Sequence, residues 1–99
     1  MKDEFVDIVG FHWDEGNVDK NRDRHNVENW ECEQVFFNAP LLIIDDSRHS
    51  ATEERGAAFG HTDEGRLLTV IFTKRGSLIR IISAMDMSRK ERRFYEEKG

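Results

Sequence analysis

The stretch from Leu67 to Ala84 constrains the fold more than any other part of the chain. Leu67–Thr73 (LLTVIFT) and Leu78–Ala84 (LIRIISA) are apolar, β-branched runs, and Arg75-Gly76 lies between them. Two such runs around a glycine-bearing turn specify an antiparallel hairpin. With Arg75-Gly76 as a two-residue loop, Phe72 faces Ile79 and Val70 faces Ile81. That face is apolar throughout and is expected to pack on helices. The opposite face then carries Thr69, Ile71, Thr73, Leu78, Arg80 and Ile82. A guanidinium in the middle of a sheet face calls for a partner. A carboxylate of the protein and a bound oxyanion such as phosphate both fit, and the hairpin alone does not choose between them.

The rest of the chain supplies elements around this hairpin. Val6 to Phe11 reads as a short extended opening. Asp14 is placed to cap a polar helix over about 15–25, and Asn26 to end it in the left-handed conformation. A second helix is expected over 28–38, because Cys32, Val35, Phe36 and Ala39 recur at helical spacing, with Trp30 and Phe37 widening the stripe. Pro40 stops it. Leu41–Ile44 reads as a buried strand, 45–54 as a polar loop, and 55–62 as a glycine-bearing strand before the turn Asp63-Glu64-Gly65. A basic helix starts at Asp86 or Ser88. The order is β-α-α-β-β-β-β-α. It predicts an α+β domain spanning 1–99, with helices packed on one face of a mostly antiparallel sheet.

Length and composition narrow the function classes. Ninety-nine residues leave no room for a cofactor domain. No apolar run reaches the roughly 18–20 residues of a membrane helix, and MKDEFVD lacks the order of a secretion signal. The single cysteine, Cys32, excludes an intrachain disulfide and a cysteine-based zinc site. A cytoplasmic location is expected. Charge is divided unevenly: residues 1–64 hold 6 Lys/Arg against 16 Asp/Glu, while residues 65–99 hold 9 against 4. The basic end points to an anionic partner or to a solvated basic helix carrying Arg89, Lys90, Arg92 and Arg93. The net charge of −5 argues against ordinary nucleic-acid binding.

Few side chains stand out as chemical groups. His25 follows Arg24 at a helix end, where it fits either a proton-transfer role or a dipole-stabilised surface position. His12, His49 and His61 carry weaker signals. No tight metal-ligand spacing and no phosphate-binding glycine loop occur, because Gly56, Gly60 and Gly65 are scattered. Neither a metal nor any other cofactor is expected. Phe94 and Tyr95 read as packing residues.

Several segments, taken in order, resemble the BrnT family of type II toxin–antitoxin toxins, within the RelE-like superfamily. They include Phe11-His12-Trp13-Asp14-Glu15-Gly16-Asn17, Lys20-Asn21, Arg24-His25-Asn26-Val27, Trp30-Glu31 and Glu33 to Asn38. Asp45-Asp46, His49-Ser50, Glu53-Glu54-Arg55 and Thr62 to Arg66 follow, then Phe72-Thr73, Ile79 to Ala84 and Asp86 to Tyr95. The resemblance implies an RNA-cleaving toxin that inhibits translation, a BrnA-type antitoxin, and contact with operator DNA through that antitoxin. It implies metal-free chemistry, in which the RNA 2′-OH attacks the adjacent phosphate. Cations then stabilise the extra charge, and a histidine or carboxylate moves the protons.

Residue by residue, the resemblance assigns Lys20, Arg24 and His25 to the charged first-helix cluster, Arg66 and Arg80 to the sheet arginines, and Glu54 with Arg55 to a loop motif. It implies Arg66 and Arg80 on phosphate, with Lys20 and His25 on proton transfer and substrate charge. Arg24, Glu54 and Arg55 are implied RNA contacts. Arg66, Arg80, Lys20 and His25 would then converge in one cationic hollow. The family usually has arginine where this chain has Met85, and a thioether neither donates a hydrogen bond nor binds phosphate. The chain is therefore expected to be either a ribonuclease or a detoxified module that binds only its antitoxin.

Overall fold

A computed structural model describes residues 7–45 and 55–99. The elements follow the expected order: β1 (Gly10–Phe11), α1 (Lys20–His25), α2 (Asn29–Val35), β2 (Leu42–Asp45), β3 (Arg55–His61), β4 (Leu67–Arg75), β5 (Leu78–Asp86) and α3 (Arg89–Lys98). The strands form one sheet in the order β1-β5-β4-β3-β2, antiparallel except for the parallel β1–β5 pair.

The hairpin forms, but its loop is Gly76-Ser77, because Arg75 pairs with Leu78. Gly76 takes a positive φ of 61°, which glycine adopts without a steric cost. Phe72 consequently faces Ile81 instead of Ile79. A two-residue shift leaves the faces as expected, since side chains alternate with period two. A bulge then places Ile82 as an extra residue, so that Ile71 pairs with Ser83 and Val70 with Ala84. The bulge reverses the alternation beyond it. Ala84 turns into the core, and Met85 turns onto the face that carries Arg80.

Helices α1 and α2 cover the apolar face, as expected. Val27, Cys32 and Val35 pack there on Ala58, Leu68, Val70, Phe72, Ile79, Ile81 and Ala84. Burial pushes the Cys32 thiol up to about 12, so it stays protonated and inert. Helix α3 lies on the opposite face. Met87 and Tyr95 pack there with Phe59, and Phe94 meets the Phe59 ring at 5.7 Å. The Tyr95 hydroxyl donates to the Pro40 carbonyl at 2.6 Å. Ser88 caps α3 by accepting from the Glu91 N–H.

The first two helices are shorter than the periodicity predicts. Asp14 organises a turn: its side chain accepts from Gly16 N–H, and its carbonyl accepts from Asn17 and Val18. Helix α1 therefore begins only at Lys20, after Asp19 at φ 62°, and ends at a left-handed Asn26 as expected. Helix α2 stops at Val35 and is followed by turns. Ala39 leaves the stripe and lies exposed. Trp30 and Phe37 do not widen it either, being 50% and 77% exposed.

Two buried asparagines hold the edge of β5. Asn17 Nδ2 donates to the carbonyls of Ile81 and His12, each at 3.0 Å. Asn21 Oδ1 accepts from Ala84 N–H at 2.9 Å. They occupy the edge beyond the two-residue β1, so that backbone groups left without a neighbouring strand are still satisfied.

Candidate functional site

The expected cationic residues separate into two clusters at opposite ends of β5. The first surrounds Arg66, just before β4. Its Nε and Nη2 grip the two Asp86 oxygens at 2.8 and 3.2 Å. Its Nη1 donates to the Asn26 carbonyl at 2.9 Å and to Glu31 at 3.0 and 3.2 Å. Four of the five guanidinium N–H groups are thereby engaged. One cation meets two carboxylates, which would repel an incoming phosphate. Arg66 ties the end of α1 to α2, β4 and β5. It holds the Asp86 carboxyl below the usual range, and Arg92 and His25 stand close enough to add to that effect.

The second cluster surrounds Arg80. Its Nη1 and Nη2 each lie 3.0 Å from an Asp14 oxygen, forming a two-point fork. The His12 Nδ1 lies 3.3 Å from the same Nη1, and the His12 Nε2 lies 3.6 Å from Asp14. Gly16 makes room, because a Cβ there would stand 2.9 Å from Arg80 Nη2. Hydrogen bonds from Arg80 and then Gly16 N–H hold the Asp14 carboxyl below its usual range.

Register adds Arg55 to this second cluster. Arg55 pairs with Thr73, and Thr73 with Arg80, so one cross-strand row carries both arginines. Two strand spacings put their Cα atoms about 10 Å apart. Ile71 pairs with Ser83 in the next row on this face, and Thr69 with Met85 in the row beyond. Met85 thus stands roughly 13 Å along the same face from the Arg80 row. Beside it the Thr69 hydroxyl donates to Glu91 of α3, which marks where the helix begins to cover the sheet.

The single hollow expected for Arg66, Arg80, Lys20 and His25 is not what the chain builds. Arg80 and the Arg66 partner Asp86 lie six positions apart along β5, or roughly 15–20 Å. One phosphate cannot touch both arginines. His25 is exposed and belongs with the Arg66 cluster. Lys20 is half-buried on α1 and Arg24 is exposed. Glu54 and His49 lie outside the described residues.

His12 carries only a weak signal in the sequence, and Asp14 reads there as a helix cap. Their shared face follows from the parallel pairing of Phe11 with Ile79, which sets the next residue, His12, beside Arg80. That long-range pairing is not encoded by local spacing. An apolar hollow of about 210 Å³ lined by Ile8, Val9, Phe11, Phe36, Phe37 and Ile79 offers no comparable polar groups. Among the described residues, no group of His, Cys, Asp and Glu is arranged to hold a metal ion, and no helix is long and apolar enough to cross a membrane.

No curated protein matches this chain. A family model described as the ribonuclease toxin BrnT of type II toxin–antitoxin systems matches residues 13–91. That span runs from Trp13 through α1, α2 and β2 to β5 into α3, and includes Arg66 with Glu31 and Asp86, and Arg80 with Asp14, while His12 lies just before it. The chain therefore belongs to the BrnT family, the ribonuclease toxins of type II toxin–antitoxin systems.

Proposed function

We propose that this chain cuts RNA without a metal, through attack of the 2′-OH on the neighbouring phosphate. The substrate backbone would lie on the sheet face that carries Arg55 and Arg80. Family membership supplies the ribonuclease activity and the existence of an antitoxin partner. Taken alone, the separation of Arg66 from Arg80 counts against a nuclease built on a single four-residue cradle. The observation that carries the narrower reading is the Arg55–Thr73–Arg80 row beside His12 and Asp14. It supports a reading in which the Arg80 guanidinium meets groups able to move a proton, with Arg55 two strands along the same row. Arg66 acts in this reading as a positioning residue.

Met85 weakens the site. It occupies the same face, where the family usually carries arginine. A guanidinium there would extend the cationic row toward α3, and its loss removes charge stabilisation worth about 10²–10³ in rate. The protein partner is a BrnA-type antitoxin, and operator DNA is contacted through it. A second reading follows from Met85 together with the carboxylate-bound states of Arg66 and Arg80: the chain retains antitoxin binding and has lost cleavage.

The test compares the chain with its Met85→Arg form on RNA, with and without EDTA and with and without ribosomes. Cleavage that survives EDTA and is stronger for the arginine form supports the proposal. Cleavage abolished by EDTA overturns metal independence. No cleavage by either form at enzyme excess overturns the proposal and favours the second reading.

A further inference from the structure

We propose that His12, held between Asp14 and Arg80, is the group that takes the 2′-OH proton during RNA cleavage. The inference rests on the ribonuclease reading above and assigns to His12 the proton transfer that the family resemblance implies for His25.

The neighbours fix the state of the ring. Arg80 Nη1 can only donate, so His12 Nδ1 at 3.3 Å must present its lone pair. The ring proton then sits on Nε2, which faces the Asp14 oxygen at 3.6 Å. His12 is thus held as a neutral base with a carboxylate behind its N–H side. The charged groups around it are Asp14 on its own segment and Arg80 from β5, with Arg55 from β3 two strands further along the row. His12 is partly exposed, which leaves the ring accessible to a substrate.

A phosphate bound to Arg80 draws Nη1 away from His12 and frees Nδ1. The Nδ1 lone pair takes the proton from O2′ as the O2′–P bond forms and the P–O5′ bond breaks. The departing 5′-oxygen takes a proton from water, and the imidazolium later returns its proton to solvent. The product is a 2′,3′-cyclic phosphate, and no oxidant or metal enters the balance. Asp14 stabilises the transient imidazolium. His25 has no such arrangement, because it stands near Asp86, whose two oxygens are occupied by Arg66.

The experiment uses whichever of the parent and Met85→Arg forms cleaves RNA, and introduces His12→Ala and His12→Gln. Circular dichroism checks that both variants fold. The expected result is a loss of about 100-fold or more in single-turnover rate. The rate of the unsubstituted form should fall at acid pH, and His12→Gln should lose that acid limb. Added imidazole should partly restore His12→Ala. Independently, a 2′-O-methyl oligonucleotide, which cannot be cleaved, should shift the His12 ring resonances. Unchanged rates and an unchanged acid limb in both variants would overturn the assignment while leaving the ribonuclease reading in place. If neither starting form cleaves, the ribonuclease reading falls and this one falls with it.

Discussion

Arg66 and Asp86 are joined by two parallel contacts, and the free side of the same guanidinium reaches Glu31 and the Asn26 carbonyl. One side chain therefore links four elements. Glu31 is only 8% exposed, so removing the cation would strand a carboxylate with little water to solvate it. Arg66→Ala is expected to destabilise the fold by about 2 kcal/mol, with Arg66→Lys recovering only part because an ammonium cannot form the fork. Urea unfolding of the three forms checks this. A loss of RNA cleavage at unchanged stability would instead make Arg66 a substrate contact.

Asn17 and Asn21 predict a second stability effect. Asn17→Ala leaves the Ile81 carbonyl and the Asp14 N–H without their side-chain partner at a buried edge. A cost of about 2–3 kcal/mol is expected. Hydrogen exchange should show faster opening at the β5 edge, while the β3–β4 pairs stay protected.

His61 gives a pH prediction. Its Nδ1 faces the Thr62 carbonyl at 2.9 Å and its Nε2 the Ala39 carbonyl at 3.0 Å. Carbonyls only accept, so both contacts are satisfied when both nitrogens carry protons. The Ala39 carbonyl first, and the Thr62 carbonyl after it, raise the His61 pKa above its ordinary 6.5. A raised pKa means that the folded state binds the proton more tightly than the unfolded chain does. The stabilisation is fully present below pH 6.5 and is lost as pH rises through the higher folded value. The Tm of the parent should therefore fall from pH 6 to pH 9 by more than that of His61→Gln. Equal slopes for the two proteins would show that the ring contributes nothing.

Met85→Arg carries the functional prediction. The bulge at Ile82 puts position 85 on the open face, so an arginine there adds charge to that face without entering the core. Cleavage should rise by about 10²–10³ at nearly unchanged stability. Single-turnover assays and thermal melts on one preparation check both halves. Arg80→Ala in the same background should reverse the gain.

Much of the fold was legible because its signals are local. The two runs around Gly76, the Asn26 terminus and the Ser88 start all act within a few residues. The shortened helices were less legible, since Asp14, Asp19 and the turns after Val35 compete with helical spacing by bonding their own backbone. Similarity to the BrnT family marked Arg55, Arg66, Arg80 and Met85 as residues of interest but not their grouping.

The amino-acid order alone determined the kind of domain, the sequence of elements and the apolar face on which α1 and α2 lie. Alternation, turn chemistry and helical spacing are properties of neighbouring residues, and they survive whatever the rest of the chain does. Tertiary structure alone decided which charges meet. The two-residue register of the hairpin, the extra residue at Ile82 and the parallel pairing of β1 with β5 set Arg80 beside His12 and Asp14, and left Arg66 with Asp86 and Glu31. Each of these depends on contacts between residues far apart in the chain, where one inserted position turns a side chain to the opposite face.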